Sequence, residues 1–168
     1  MTKNLFSFIT IIVLIGSCST SKNKIDAETQ DFNGLTNGTH LFSTIKRSYC
    51  YGACPVYELK IYANGDATYH AIKNVELEGF YSGQVSQKSR DALSQKAKDI
   101  KYIEMKAVYD NPGISDLPST TTSIVINGDH KEVRRRYGYP TELLAFEKLF
   151  DKIIASTLWE KLPNAEKE

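Results

Sequence analysis

The chain has 168 residues, with 21 Lys and Arg against 20 Asp and Glu, and 41% of it is hydrophobic. That length suits one domain with tails. The near-zero net charge argues against nucleic acid or an anionic surface as an electrostatic partner, because both need a basic excess on one face.

At the N-terminus Lys3 precedes an apolar run from Leu5 to Ile15, and Gly16 and Ser17 lead into Cys18. The run is shorter than the roughly 20 apolar residues of a permanent membrane helix, and it has the order of a signal peptide. Ile15-Gly16-Ser17-Cys18 resembles the bacterial lipobox. That resemblance implies removal of residues 1–17 and thioether lipidation of Cys18, with the membrane as a partner through acyl chains. One chain alone binds marginally, whereas two or three anchor stably. Ser19 and Thr20 follow the cysteine with no acid between, which resembles sorting to the outer membrane. The expected location is the bacterial cell envelope. With Lys3 gone from the 21 basic residues, 20 face 20 acids.

Residues 18–38 are polar and read as a flexible tether with a reach of about 25 Å. A single domain is expected over 39–161, followed by a fraying tail at 162–168. Within the domain, Leu41 to Tyr49 and Val56 to Tyr62 are strand-like, the second alternating Tyr57, Leu59 and Ile61 with Glu58 and Lys60. Asn64-Gly65 marks a hairpin turn into Ala67 to Ile72. A two-residue turn would oppose Ile61 to Thr68; a bulged turn would shift the pairs. Gly79 to Val85 is a further strand, and Ser86 caps a helix from Gln87 to Lys101 with Leu93, Ala97 and Ile100 on one face. Thr120 to Ile126, Asn127-Gly128 and Lys131 to Tyr137 form a second hairpin. Pro140 then opens a helix carrying Leu143, Phe146, Phe150 and Ile153. The fold class is α+β: an antiparallel sheet built from hairpins, with two helices on one face as a two-layer sandwich.

The most distinctive segment is Tyr49-Cys50-Tyr51-Gly52-Ala53-Cys54-Pro55-Val56-Tyr57. Together with Leu59, Ile61, Gly65, Tyr69, Asp116-Leu117-Pro118 and Pro140, it resembles the domain-of-unknown-function family 6438, found in many bacterial lipoproteins. The resemblance spans about Leu41 to Ser156 and implies a shared fold without implying an activity.

Cys50 and Cys54 admit three readings. In an oxidising compartment they form a structural disulfide, which parity favours once Cys18 is lipidated. Alternatively they are a copper or thiol-redox site, since Cys-x-x-x-Cys-Pro is similar to the motif of thioredoxin-like copper chaperones, with His40, His70 or His130 as a third ligand. In those proteins the motif leads into a helix, whereas Pro55 here leads into a strand pattern. As a third reading, both are buried reduced thiols.

Asp110, Asn111 and Asp116 lie in a loop, Tyr109 to Ser119, that suits a binding segment or an oxygen-ligand metal site, although it lacks the regular ligand spacing of an EF-hand. Asx-turns explain the same residues. In Arg134 to Arg136 strand geometry turns Arg135 away from its neighbours, leaving Arg134 and Arg136 as a candidate anion or carboxylate clamp. The tyrosines, Tyr51 among them, suit a contact face. No nucleophile elbow, phosphate loop, His-Glu-x-x-His or spaced carboxylate pair is present, so no residue is assigned a catalytic role. The expected function is a non-enzymatic envelope module that binds a protein, peptide or glycan without a cofactor. The alternative is a copper or thiol-redox accessory protein acting through Cys50 and Cys54.

Overall fold

The computed structural model describes residues 39–163. Cys18 and the segments expected from sequence to be a signal peptide, a tether up to residue 38 and most of a tail, from residue 164 on, lie outside the described residues. Eight strands form a mostly antiparallel sheet with two helices, an α+β fold. The strands are β1 (Leu41–Arg47), β2 (Val56–Tyr62), β3 (Asp66–Lys73), β4 (Gly79–Gln84), β5 (Val108–Tyr109), β6 (Thr120–Ile126), β7 (Asp129–Arg135) and β8 (Trp159–Lys161). The helices are α1 (Gln87–Asp99) and α2 (Glu142–Ser156), and Tyr102–Glu104 makes one 3₁₀ turn. Among the described residues no helix is long and apolar enough to cross a membrane.

The sheet order is β5-β7-β6-β1-β2-β3-β4-β8, antiparallel throughout except for the β5–β7 pair. Hairpin chemistry explains its two halves; β1, pairing both β2 and β6, joins them. The hairpins use the same Asn-Gly-Asp letters differently. In β6–β7, Ile126 pairs with Asp129, so Asn127 and Gly128 alone form the turn, both with positive φ (55° and 89°), the requirement of a type I′ turn. In β2–β3, Ile61 pairs with Ala67 and Leu59 with Tyr69, so the bulged alternative holds, with Gly65 at φ 95°. The reason is facial. Directly opposed residues share a face, and Tyr57, Leu59 and Ile61 must align with the buried Ala67, Tyr69 and Ala71.

Ser86 caps α1, its hydroxyl accepting from the Ser89 N–H. The helix stops at Asp99 instead of Lys101, because Lys101 adopts a left-handed φ of 53°. Leu93 and Ala97 of α1 and Leu143, Phe146, Phe150 and Ile153 of α2 share one core with Ile45, Leu59, Ile61 and Val133 of the sheet. Tyr102 is buried there, its hydroxyl donating to Thr122 O at 2.6 Å. Thr141, and not Pro140, precedes α2, although the Leu143 N–H bonds Pro140 O in its first turn. The strand expected over Leu41 to Tyr49 ends at Arg47, and the one expected over Lys131 to Tyr137 runs from Asp129 to Arg135. At the chain's end Leu162, placed in the tail by sequence, donates its N–H to Phe80 O.

Candidate functional site

Strand alternation carries the core-facing positions out to one end of the sheet. Ile45, Leu59, Thr122 and Val133 form one cross-strand row, and two residues further along the next row reads Tyr57, Arg47, Thr120, Arg135 across β2, β1, β6 and β7. Four side chains able to donate or accept therefore line up where the apolar core ends.

Helix α2 meets this row with Glu147 and Asp151, one turn apart. Glu147 accepts a bidentate pair from Arg135, Nε to Oε1 at 2.6 Å and Nη2 to Oε2 at 2.5 Å. Arg47 lies 3.5 Å from the same carboxylate. Arg47 also reaches Asp151 with Nη2 at 2.9 Å and donates its Nε to the Tyr57 hydroxyl at 2.9 Å. That hydroxyl donates to Asp151 Oδ1 at 2.6 Å. Arg135 is further held by the Tyr139 hydroxyl and stacks 4.5 Å over its ring. Two cations and two anions close a neutral circuit, each charge with a hydrogen-bonded opposite, as burial demands.

The circuit sets the local acid–base behaviour. Burial works against charge on Arg47 and on Arg135, yet for each the neighbouring groups prevail and hold the pKa above the ordinary arginine value. Burial pushes the Tyr57 hydroxyl well up, with Arg47 opposing and Asp151 reinforcing.

Asp151 stands at the boundary between this circuit and solvent, with its side chain 46% exposed. Beyond it opens a groove of about 490 Å³. It is lined by Tyr57, Tyr69 and Trp159 of the sheet, by Pro55 and the Asn74–Leu77 turn, and by Ile154, Ala155, Thr157 and Leu158 at and just after the end of α2. Tyr69 packs on Trp159 with ring centroids 5.2 Å apart, and the indole N–H bonds Ile154 O at 2.9 Å. Leu158, at the groove's lip, is 91% exposed.

Cys50 and Cys54 are joined as a disulfide. The bridge borders the groove: Pro55 follows it directly, and Asn74 Nδ2 donates to Cys54 O at 3.0 Å. Tyr51, at the tip of the loop, is 90% exposed. The two sulfurs are bonded to each other, and among the described residues no three His, Cys, Asp or Glu side chains gather as metal ligands. This donor set does not fit copper. His70 instead stacks on Phe80 at 3.8 Å, and burial, aided by Lys46 and opposed by Glu58, lowers its pKa. His130 sits opposite Val125 beside the second turn.

The three arginines part company. Arg135 turns to α2. Arg134 is exposed, across from Thr121 and Val108. Arg136 is partly buried and engaged within its own loop, reaching Asp110 at 3.3 Å and Ile114 O at 2.7 Å. Its Nε is the buried side-chain polar atom without a partner among the described residues. Asp116 is exposed at φ 63° and accepts from the Ser115 hydroxyl. Asn111 and Asp110 cap turns of that loop. Tyr51, Asp116, Arg134 and Arg136 are thus not brought together as a site, whereas Arg47, Tyr57, Arg135, Glu147 and Asp151, which no sequence motif singles out, form one assembly. A signal was present: Glu147 falls inside the apolar stripe of Leu143, Phe146 and Phe150, and a buried acid requires a cation.

No curated protein matches the chain in a sequence comparison. A family model does, over residues 43–154, a span that holds the disulfide and the whole ionic circuit but stops before Trp159. That model is described as Domain of unknown function (DUF6438). As it covers two-thirds of the 168 residues, the chain belongs to this family.

Proposed function

We propose that this is a lipid-anchored protein of the bacterial cell envelope, held on the outer membrane through Cys18, and that its domain is a non-enzymatic module binding a protein or peptide partner in the groove beside Asp151. In this reading α1 and α2 cover one face of the sheet as a two-layer sandwich, which their common core with the strands supports. The opposite face carries the polar row Arg134, Thr121, Lys46, Glu58 and His70.

The groove carries the binding reading. It joins aliphatic walls, Val75, Leu77, Ile154 and Leu158, to a carboxylate whose charge is already matched by Arg47. Asp151, held in place by a guanidinium and a phenol, is well suited to fixing the orientation of a partner's donor. Side chains of this kind, an apolar centre with a few directed polar groups, are what protein contacts bury.

Photo-crosslinking from the envelope tests the reading. With p-benzoylphenylalanine at Ala155, which is exposed and lines the groove, one discrete adduct is expected; at Lys148, exposed elsewhere on α2, none. Equal adducts from both positions, or none from Ala155, would overturn it.

A further inference from the structure

Strand β8 is the last of the sheet, paired on one side only, with β4. Its alternation can be fixed. The Leu162 N–H bonds Phe80 O, so Leu162 and, two residues back, Glu160 direct their backbone groups inward. Trp159 and Lys161 then direct their N–H and C=O groups outward, where among the described residues they meet no strand. Such an edge is a template for another strand.

The two sides of this edge differ in chemistry. On the side of the Trp159 ring lies the groove already described, with the aliphatic wall of Leu77, Ile154 and Leu158. On the side of Glu160 lies a second hollow of about 390 Å³, where Asp66 joins Glu160 beside Thr68, Ser82 and Gln84. That hollow is lined by two carboxylates and no base.

We propose that the partner is an extended basic peptide segment that adds to β8 as a ninth strand, with alternate residues apolar and Lys or Arg. The inference rests on the groove being the binding site. Residues opposed across a strand pair share a face. The partner residues opposite Trp159 and Lys161 therefore send apolar side chains toward the groove, and the residue between them sends its cation toward Glu160 and Asp66. Main-chain bonds to Trp159 and Lys161 supply affinity, and the alternation supplies specificity.

The test uses the full chain in detergent and reads the fluorescence of Trp159, the single tryptophan of the sequence. The probe is an alternating Lys–Val nonapeptide. A saturable change is expected, weakened about tenfold by high salt, as charge pairing at a rim predicts. The Glu–Val counterpart should not bind, and Glu160→Lys should weaken the Lys–Val peptide. Lys161→Pro removes one outward N–H at a position where an edge strand tolerates proline, so it should abolish binding, while Lys161→Val retains it. N-methylation of alternate peptide amides should abolish binding in one phase only. Failure of the Lys–Val peptide to bind, or binding indifferent to Lys161→Pro and to N-methylation, overturns strand addition. The crosslink from Ala155 would stand in either case, so the groove and the edge fail separately.

Discussion

Arg135 and Glu147 meet as a two-bond pair between the end of β7 and the first half of α2, with the glutamate side chain only 2% exposed. The pair fastens helix to sheet where the apolar core runs out. Removing one partner leaves a buried charge without its counterion, which costs roughly 3–5 kcal/mol. Glu147→Leu should therefore lower the urea midpoint sharply. The double change Glu147→Leu with Arg135→Met should recover part of the loss, because Arg47 retains Asp151. A double variant as unstable as the sum of its singles would mean that the two residues do not act as a pair.

Three buried tyrosines predict an alkaline limit to stability. Burial is the largest influence on each: it raises Tyr57 and Tyr102 strongly and pushes Tyr69 up to about 12, above the ordinary phenol value of about 10. A phenol whose pKa is higher folded than unfolded binds more protons in the native state. Its stabilising contribution is complete below about pH 10 and declines as pH rises toward the folded value. Denaturant midpoints should fall from about pH 10 upward. Tyr57→Phe should flatten that fall while costing about 1–2 kcal/mol at neutral pH through the lost bonds to Asp151 and Arg47. An unchanged alkaline slope in the variant would dismiss Tyr57 as a contributor.

The two hairpin glycines should respond unequally to alanine. Gly128 has φ 89° with nothing within 4 Å of an added Cβ, so Gly128→Ala costs only the left-handed backbone, about 1 kcal/mol. At Gly65, φ 95°, the Cβ would stand 2.8 Å from Val85 O and 2.6 Å from Gln84 Nε2. That carbonyl belongs to a backbone segment fixed by the Val85 N–H bond to Gly65 O. Gly65→Ala should cost about twice as much or more, and equal melting shifts would contradict the different roles of the two turns.

These turns also show how far the sequence is legible. Asn-Gly announces both hairpins, but only the buried alternation of Ala67, Tyr69 and Ala71 distinguishes the bulged loop from the two-residue one. Local signals found Ser86 as a cap and the apolar stripe of α2. Strands β5 and β8 escaped because two and three residues have no period to read, and both exist through pairing with distant segments. The ionic row escaped for a related reason. Arg47 and Arg135 are neighbours only because β6 lies between their strands, an order that no local pattern encodes.

The anchor is tested at Cys18, which precedes the described residues. Cys18→Ala should abolish incorporation of labelled fatty acid and leave the protein unprocessed or soluble. Membrane fractionation unchanged by the substitution, with no lipid-derived mass on the wild type, would discard the lipobox reading.

The Cys50–Cys54 bridge should act as a brace at the groove's margin. It closes a loop of few residues, so the chain-entropy contribution is modest, about 2 kcal/mol. Replacing one cysteine alone would leave a reactive thiol, so Cys50→Ala with Cys54→Ala is the cleaner comparison. The bridge is joined to the groove wall by the Asn74 amide on Cys54 O, and Pro55 is itself part of that wall. Loosening the loop should thus change the setting of the Asn74–Leu77 turn more than that of the sheet. Unfolding of the double variant should stay cooperative with a midpoint lowered by about that energy, while Trp159 fluorescence in the folded protein shifts. Unreduced mass spectrometry of envelope protein should find the two sulfurs linked. Free thiols there, or one equivalent of copper held by them, would make the brace the wrong description and restore the redox alternative.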